Sequence, residues 1–188
     1  MAIDLARALP YLSPVQSVDE TAPVHAFGSG DAPISRLFSN TLVVTYMIDE
    51  PGALVFVRQR DIEKDGREAL HARALENLRA HASRRKLRFE PQGPAFVAKL
   101  DGQHDASLIL LDELWDPPTR VADLDGDIVV TVPSRGRLLF TGSGTRGGIP
   151  RLRAAAAEAN GPMEPAGERE LSRELFVRRG GAWETFEG

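Results

Sequence analysis

The chain contains no cysteine. That absence excludes disulfide scaffolds, zinc–thiolate and iron–sulfur sites, and thiol nucleophiles. No apolar run approaches the roughly 20 residues that a membrane-spanning helix needs, so no membrane partner is expected. Aromatic residues make up only 6% of the chain. Lysine is scarce, three residues against twenty arginines. Arginine forks suit phosphate and carboxylate recognition, but a genome rich in G and C produces the same bias, so the count alone assigns no ligand. The opening MAIDLARALP places an acid before the first base and has no long apolar stretch, unlike a secretory signal. The expectation is a soluble, cytoplasmic protein.

The remainder is ordinary for a globular chain: 188 residues, 42% hydrophobic, 27% charged, with a net charge of −4. That length fits one domain with at most an appendage, and allows a core of useful size. Charge is uneven. Residues 58–88 hold ten basic and five acidic side chains, and residues 101–127 hold eight acidic and one basic. Complementary blocks of this kind face each other or water. The net basic domain of a nucleic-acid binder is missing, so no nucleic-acid partner is expected.

Residues 1–40 read as a weakly structured lead-in: a helical turn within Ile3–Leu9 stopped by Pro10, then proline, glycine and small polar residues from Ser17 to Pro33. Residues 41–188 read as a single α+β domain. Leu42–Ile48 is β-branched and aromatic, as strands prefer. Glu50-Pro51-Gly52 suits a tight turn, and Ala53–Val57 returns as a second strand. Asp65 and Glu68 have capping-box spacing for a helix to about Ala82, with His71, Ala74, Leu75, Leu78 and Ala82 on one stripe. Leu87–Glu90 and Phe96–Leu100 are extended, and Asp101-Gly102 carries a hairpin signal. The segment DASLILLDELWD is expected to be helical up to Pro117-Pro118, with a buried strand through Leu108–Leu111 as the alternative.

The pattern then recurs. Ile128–Thr131 echoes Leu42–Thr45, and Arg137–Phe140 echoes Ala53–Phe56. A helix over Ile149–Ala159 follows, with Pro150 near its start, and then a hairpin through Gly180-Gly181. The expected fold is α+β: antiparallel β-hairpins with packed helices, in a two-fold pseudo-repeat of a ββαββ unit over residues 41–115 and 126–187. Trp183 and Phe186 near the end require the last residues to be docked.

Three constellations could carry chemistry. Gly142, Gly144 and Gly147 match G-x-G-x-x-G between a strand and a helix, where backbone amides cradle phosphates in dinucleotide-binding folds. The preceding strand is the second arm of a hairpin, and no acid-terminated strand follows, so an anion site assisted by Arg146 or Arg151 is the narrower expectation. The hairpin tip Pro133-Ser134-Arg135-Gly136 presents Ser134, Arg135 and Arg137, to an anion or as an ordinary turn. Asp105, Asp112 and Asp116 share a face if their segment is helical, with His104 and Glu113 nearby. Asp112 and Asp116 are then weak candidates for a hard cation, and a salt-bridged face is favoured over it. His25, His71, His81 and His104 form no metal-binding spacing, and His71 suits a hydrogen-bonded core position. No cofactor is expected.

The stretches LVVTYMIDEPGALVFV, the helix with His71 and Ala74–Leu78, DASLILLDELWD and GDIVVTVPSRGRLLFTGS resemble the bacterial YtpQ-like family, whose activity is not established. The resemblance covers about residues 38–160 and more loosely the end. Gly136 departs from its pattern, which has an acid after Ser134-Arg135. The resemblance implies a small cytoplasmic α+β protein and carries over no functional residues. The first expectation is a non-enzymatic binding or protein-interaction module. The alternative is an enzyme or binder of a phosphorylated or nucleotide-like ligand at the Gly142–Gly147 loop and its arginines. The partner is accordingly a protein or a small anionic ligand.

Overall fold

The structure is a computed structural model that describes residues 4–15, 30–50, 53–62, 66–116, 124–158 and 170–188. Pro51, Gly52, Asp65, Pro117, Pro118 and His25, and with them the expected first turn, capping box and proline stop, lie outside the described residues. The fold is α+β, with antiparallel sheets of four and six strands. The chain divides into two compact units, Met1–Arg84 and Arg85–Gly188.

The first unit is organised on its longest strand. Strand β3 (Leu42–Glu50) is buried from Leu42 to Ile48, an apolar run interrupted by Thr45, whose hydroxyl meets Ser13 Oγ at 3.1 Å. Strand β1 (Leu9–Pro14) pairs along one side of it, with Leu9 opposite Met47 and Pro14 opposite Leu42. Strands β2 (Ser35–Leu37) and β4 (Ala53–Phe56) lie end to end along the other. The lead-in therefore contributes two strands. Proline cannot donate to a ladder and is confined to sheet edges. Pro10 and Pro14 obey that rule, because β1 pairs with β3 alone among the described strands. The expected opening helix is a short 3-10 turn, Leu5–Arg7, capped by the Asp4 side chain.

Helix α1 (Arg67–Arg85) buries Leu70, Ala74, Leu78 and Ala82, spaced by four. His71 and Leu75 flank this row half-buried. Asn77 Nδ2 donates to the carbonyls of Ala6 and Ala8, both at 2.8 Å, tying the helix to the chain entering β1. The helix closes on Lys86, whose φ of +57° is the left-handed conformation that ends many helices.

The second unit is one antiparallel sheet in the order β10-β9-β7-β8-β6-β5. Its strands are β5 (Arg88–Gln92), β6 (Ala95–Lys99), β7 (Ile128–Ser134), β8 (Arg137–Gly142), β9 (Leu175–Arg179) and β10 (Ala182–Thr185). Side chains alternate between two faces. On one face Val97, Val129, Leu139, Leu175 and Val177 pack on Leu152 and Ala155 of helix α2 (Gly148–Glu158), one residue from the expected span. On the other face Phe89, Phe96, Phe140, Trp115 and Trp183 form a chain of rings with centroids 5.3–6.4 Å apart.

That second face is covered by the segment expected to be helical. It forms two 3-10 turns instead, Ala106–Leu110 and Asp112–Leu114. The indoles give the reason. Trp115 Nε1 donates to the carbonyl of Leu108 and Trp183 Nε1 to that of Ile109, each at 3.0 Å. Carbonyls that an α-helix would use internally are turned toward the rings. Ala106 to Ile109, Leu111 and Trp115 are buried, while Asp112, Glu113 and Asp116 stay at the surface. Trp183, the pairing of β10 with β9 and Phe186 against the α2-side core dock the last residues.

Two further expectations differ from the structure. Asp101-Gly102 is not a hairpin turn. The β5–β6 hairpin turns at Gly93, with φ of +64°, and Asp101 opens the loop into the 3-10 turns. The stretches 41–115 and 126–187 are also not built alike. β3–β4 and β5–β6 belong to different sheets, whereas β7–β8 and β9–β10 share one. Similar apolar hairpin sequences do not encode which sheet edge they join.

Candidate functional site

The glycine loop after β8 is closed by its own chain. Ser143 N donates to Asp127 O and Gly144 N to Asp125 O, both at 2.8 Å, and Asp127 N returns a bond to Ser143 Oγ at 2.9 Å. Thr145 N donates to Gly142 O at 3.0 Å and Gly148 N to Thr145 O at 2.9 Å. A Cβ on Gly142 would collide with the Asp125 carbonyl, and one on Gly144 would lie 2.6 Å from Asp125 Oδ2. The glycines thus allow residues 125–127 to lie against the loop. A carboxylate already stands where a phosphate would approach, and like charges disfavour sharing that place. Arg146 is exposed, and Arg151 pairs with Glu158 at 3.4 Å.

The hairpin tip lies at the opposite end of β8. Six strand residues separate tip and loop by roughly 20 Å at 3.3 Å per residue. Ser134, Arg135 and Arg137 therefore do not join Gly142, Gly144, Arg146 and Gly147 in one site. Ser134 is buried at the end of a bulged stretch of β7, paired with Arg137 across the hairpin and bridged to Glu170. Pro133 is accommodated at this bulge, and its carbonyl accepts from Leu171 N at 2.8 Å. Arg135 O accepts from Ala106 N at 3.0 Å. Arg137 is engaged with Glu158 at 3.0 Å, and this bond, with help from Arg151, holds the Glu158 carboxyl below the usual range. A side chain at position 136 would strike the Gly102 carbonyl, so the acid of the YtpQ-like pattern does not fit here.

The loop against that tip carries Asp101 and Asp105, of which Asp101 was not among the expected site residues. Asp105, 1% exposed, accepts from the amides of Leu100 at 2.8 Å and Gly102 at 2.6 Å. Asp101 Oδ1 accepts from Gln103 N and His104 N, both at 2.9 Å, while its Oδ2 lies 2.8 Å from His104 Nδ1. The pair fixes the imidazole's orientation and places the proton on Nδ1 when the carboxylate is ionised. Asp105 is thereby removed from the expected acidic face, its charge answered by backbone donors. The signal in the sequence was the Asp-x-x-x-Asp spacing across Gly102, which also reads as a turn.

Asp112 and Asp116 do converge, and on a cation, but the cation is Arg178. Its side chain is 6% exposed, with Nη2 at 2.9 Å from Asp112 Oδ1 and Nε at 3.1 Å from Asp116 Oδ2. The guanidinium also lies 5.3 Å from the centroid of the Trp183 ring. Burial works against the Arg178 charge, yet the two aspartates outweigh it and raise its pKa. Arg178 holds the place a hard cation would need. The favoured salt-bridged reading describes these residues, with partners on β9, and Asp127 likewise pairs with Arg179 at 3.0 Å.

No helix among the described residues is long and apolar enough to cross a membrane. No protein-family model, curated protein or solved structure matches this chain.

Proposed function

We propose that the chain is a non-enzymatic protein-interaction module, a bacterial, cytoplasmic member of the YtpQ-like proteins, and that it docks an extended segment of a partner on the edge made by β2 and β4. The supporting observation is exposed apolar surface on that edge. Leu37 of β2 is 70% exposed and Leu54 of β4 is 40% exposed, the large hydrophobic residues that stand out in this way among those described. They sit opposite Val43 and Asp49 of β3, six residues apart and so on one face of the sheet. Among the described residues no strand pairs the outer edge of β2 or β4. An open edge with apolar side chains suits strand addition, in which main-chain bonds supply affinity and side-chain contacts supply selectivity.

The alternative, a phosphorylated or nucleotide-like ligand at Gly142–Gly147, has less support, because Asp125 lies on the loop and the tip arginines lie at the far end of β8. One experiment addresses both readings. A photo-crosslinking residue at position 37 is expected to capture a partner that the Leu54→Lys background loses. A thermal-shift series with ATP, pyrophosphate and inorganic phosphate, with and without magnesium, is expected to leave melting unchanged, since binding to the native state would raise it. Stabilisation by one of these anions that disappears in Arg146→Ala would transfer the proposal to the loop.

A further inference from the structure

Tyr46 on β3 and His71 on α1 meet in the first unit. The phenol oxygen lies 2.9 Å from His71 Nδ1, and the rings stand edge to face, 6.0 Å apart at 81°. Tyr46 is 1% exposed. Among the described residues the structure gives its hydroxyl no other hydrogen-bond partner. A neutral imidazole with its proton on Nε2 accepts the phenol proton at Nδ1. Once the imidazole takes a second proton, both nitrogens are donors. Nδ1–H then faces the phenol oxygen, and the phenol proton must turn toward a buried region that offers it no acceptor among those residues.

We propose that the Tyr46–His71 contact is an acid-sensitive lock, fastening α1 to the four-stranded sheet while His71 is neutral and loosening it when the imidazole is protonated.

The surrounding charges agree with that direction. Arg36 on β2 faces the imidazole and opposes its protonation. Glu68, one turn earlier on α1, favours it, but both Glu68 oxygens are engaged by Arg36 Nη1, at 3.0 and 2.8 Å. Burial first, then Arg36, holds His71 below the ordinary imidazole range. Burial pushes Tyr46 up to about 12, so the phenol keeps its proton. The folded state thus binds the imidazole proton less readily than the unfolded chain. The stabilisation is complete above the unfolded histidine value and is lost as pH falls through the lower folded one.

The test is amide hydrogen exchange on the full chain between pH 7.5 and 5, corrected for the intrinsic pH dependence of exchange. Protection in Leu42–Glu50 and Arg67–Arg85 is expected to fall by roughly tenfold at the acid end, the scale of one orphaned buried donor, relative to β7 and β8 of the same molecule. In His71→Gln, whose amide oxygen can accept the phenol proton without titrating, the fall should vanish. In Tyr46→Phe it should shrink. A ring titration of His71 by NMR in the unsubstituted chain should give a midpoint below that of free histidine. An acid loss unchanged in His71→Gln, or a His71 midpoint at or above the free value, overturns the lock. If His71→Gln does not fold, the ring titration of the unsubstituted chain and Tyr46→Phe decide.

Discussion

The two faces of the six-stranded sheet are made by alternate residues of the same strands, yet they solve packing in opposite ways. The α2 face is valine, leucine and alanine against a regular helix. Small aliphatic side chains have no polar atoms, so their cover can keep all its backbone bonds internal. The other face is aromatic, and its two indoles and Arg178 bring donors into the interior. Its cover must offer acceptors, and does so as 3-10 turns with carbonyls turned inward and two aspartates at the rim. The contrast shows that the side chains on a sheet can select the backbone form of what covers it, because buried donors require partners.

Substitutions on the two faces separate these solutions. Trp115→Ala should have the largest effect, destabilising the chain by about 3–5 kcal/mol in chemical denaturation followed by circular dichroism. It removes a buried ring touching Phe89, Phe140 and Trp183 together with the bond to Leu108 O. Trp183→Ala should cost less, because Trp183 is partly exposed. A smaller loss at Trp115 than at Trp183 would show that the indole cover is not the centre of that face.

On the helix side, Leu152→Ala should cost about 3 kcal/mol through cavity formation alone. Exchange protection should fall across α2 and stay near its original level over Ala106–Leu114. Equal losses on both sides would mean that the faces melt as one. Arg178→Met should cost about 1 kcal/mol, because Asp112 and Asp116, 72% and 46% exposed, regain water when the guanidinium is gone. Its stability should also respond less to added sodium chloride than that of the unsubstituted chain. Away from both faces, Lys86→Gly should stabilise by about 1 kcal/mol, since a left-handed position disfavours a Cβ. Thermal melting checks this, and a lowered melting temperature would show that the Lys86 side chain contributes more than its backbone strain.

Legibility in the sequence followed the range of the interactions. The strands Leu42–Glu50, Ala53–Phe56, Ile128–Ser134 and Arg137–Gly142 and the helices Arg67–Arg85 and Gly148–Glu158 were expected close to where they lie. Their signals are local: β-branched runs, turn residues and a four-residue repeat. Strand β1 was missed because two prolines and a short length read as a lead-in, and only the β3 edge gives such a strand a place. The 3-10 cover was missed because its form answers to Trp183, 74 residues away from the carbonyl it binds. The glycine loop illustrates the same limit at a site. Its spacing was visible, but glycine there serves the close approach of Asp125, which the motif does not contain.

By itself the sequence determined an α+β composition of hairpins and helices, excluded thiol chemistry, and located the charged and aromatic residues. Those properties depend on residue type and on neighbours a few positions apart. The tertiary structure decided which sheet each hairpin joins, and that Arg178 rather than a metal lies between Asp112 and Asp116. It also decided that Tyr46 meets His71. Each of these depends on segments distant along the chain coming together under burial. There an unpaired donor or charge is costly, and the partner is whichever group the fold brings within reach.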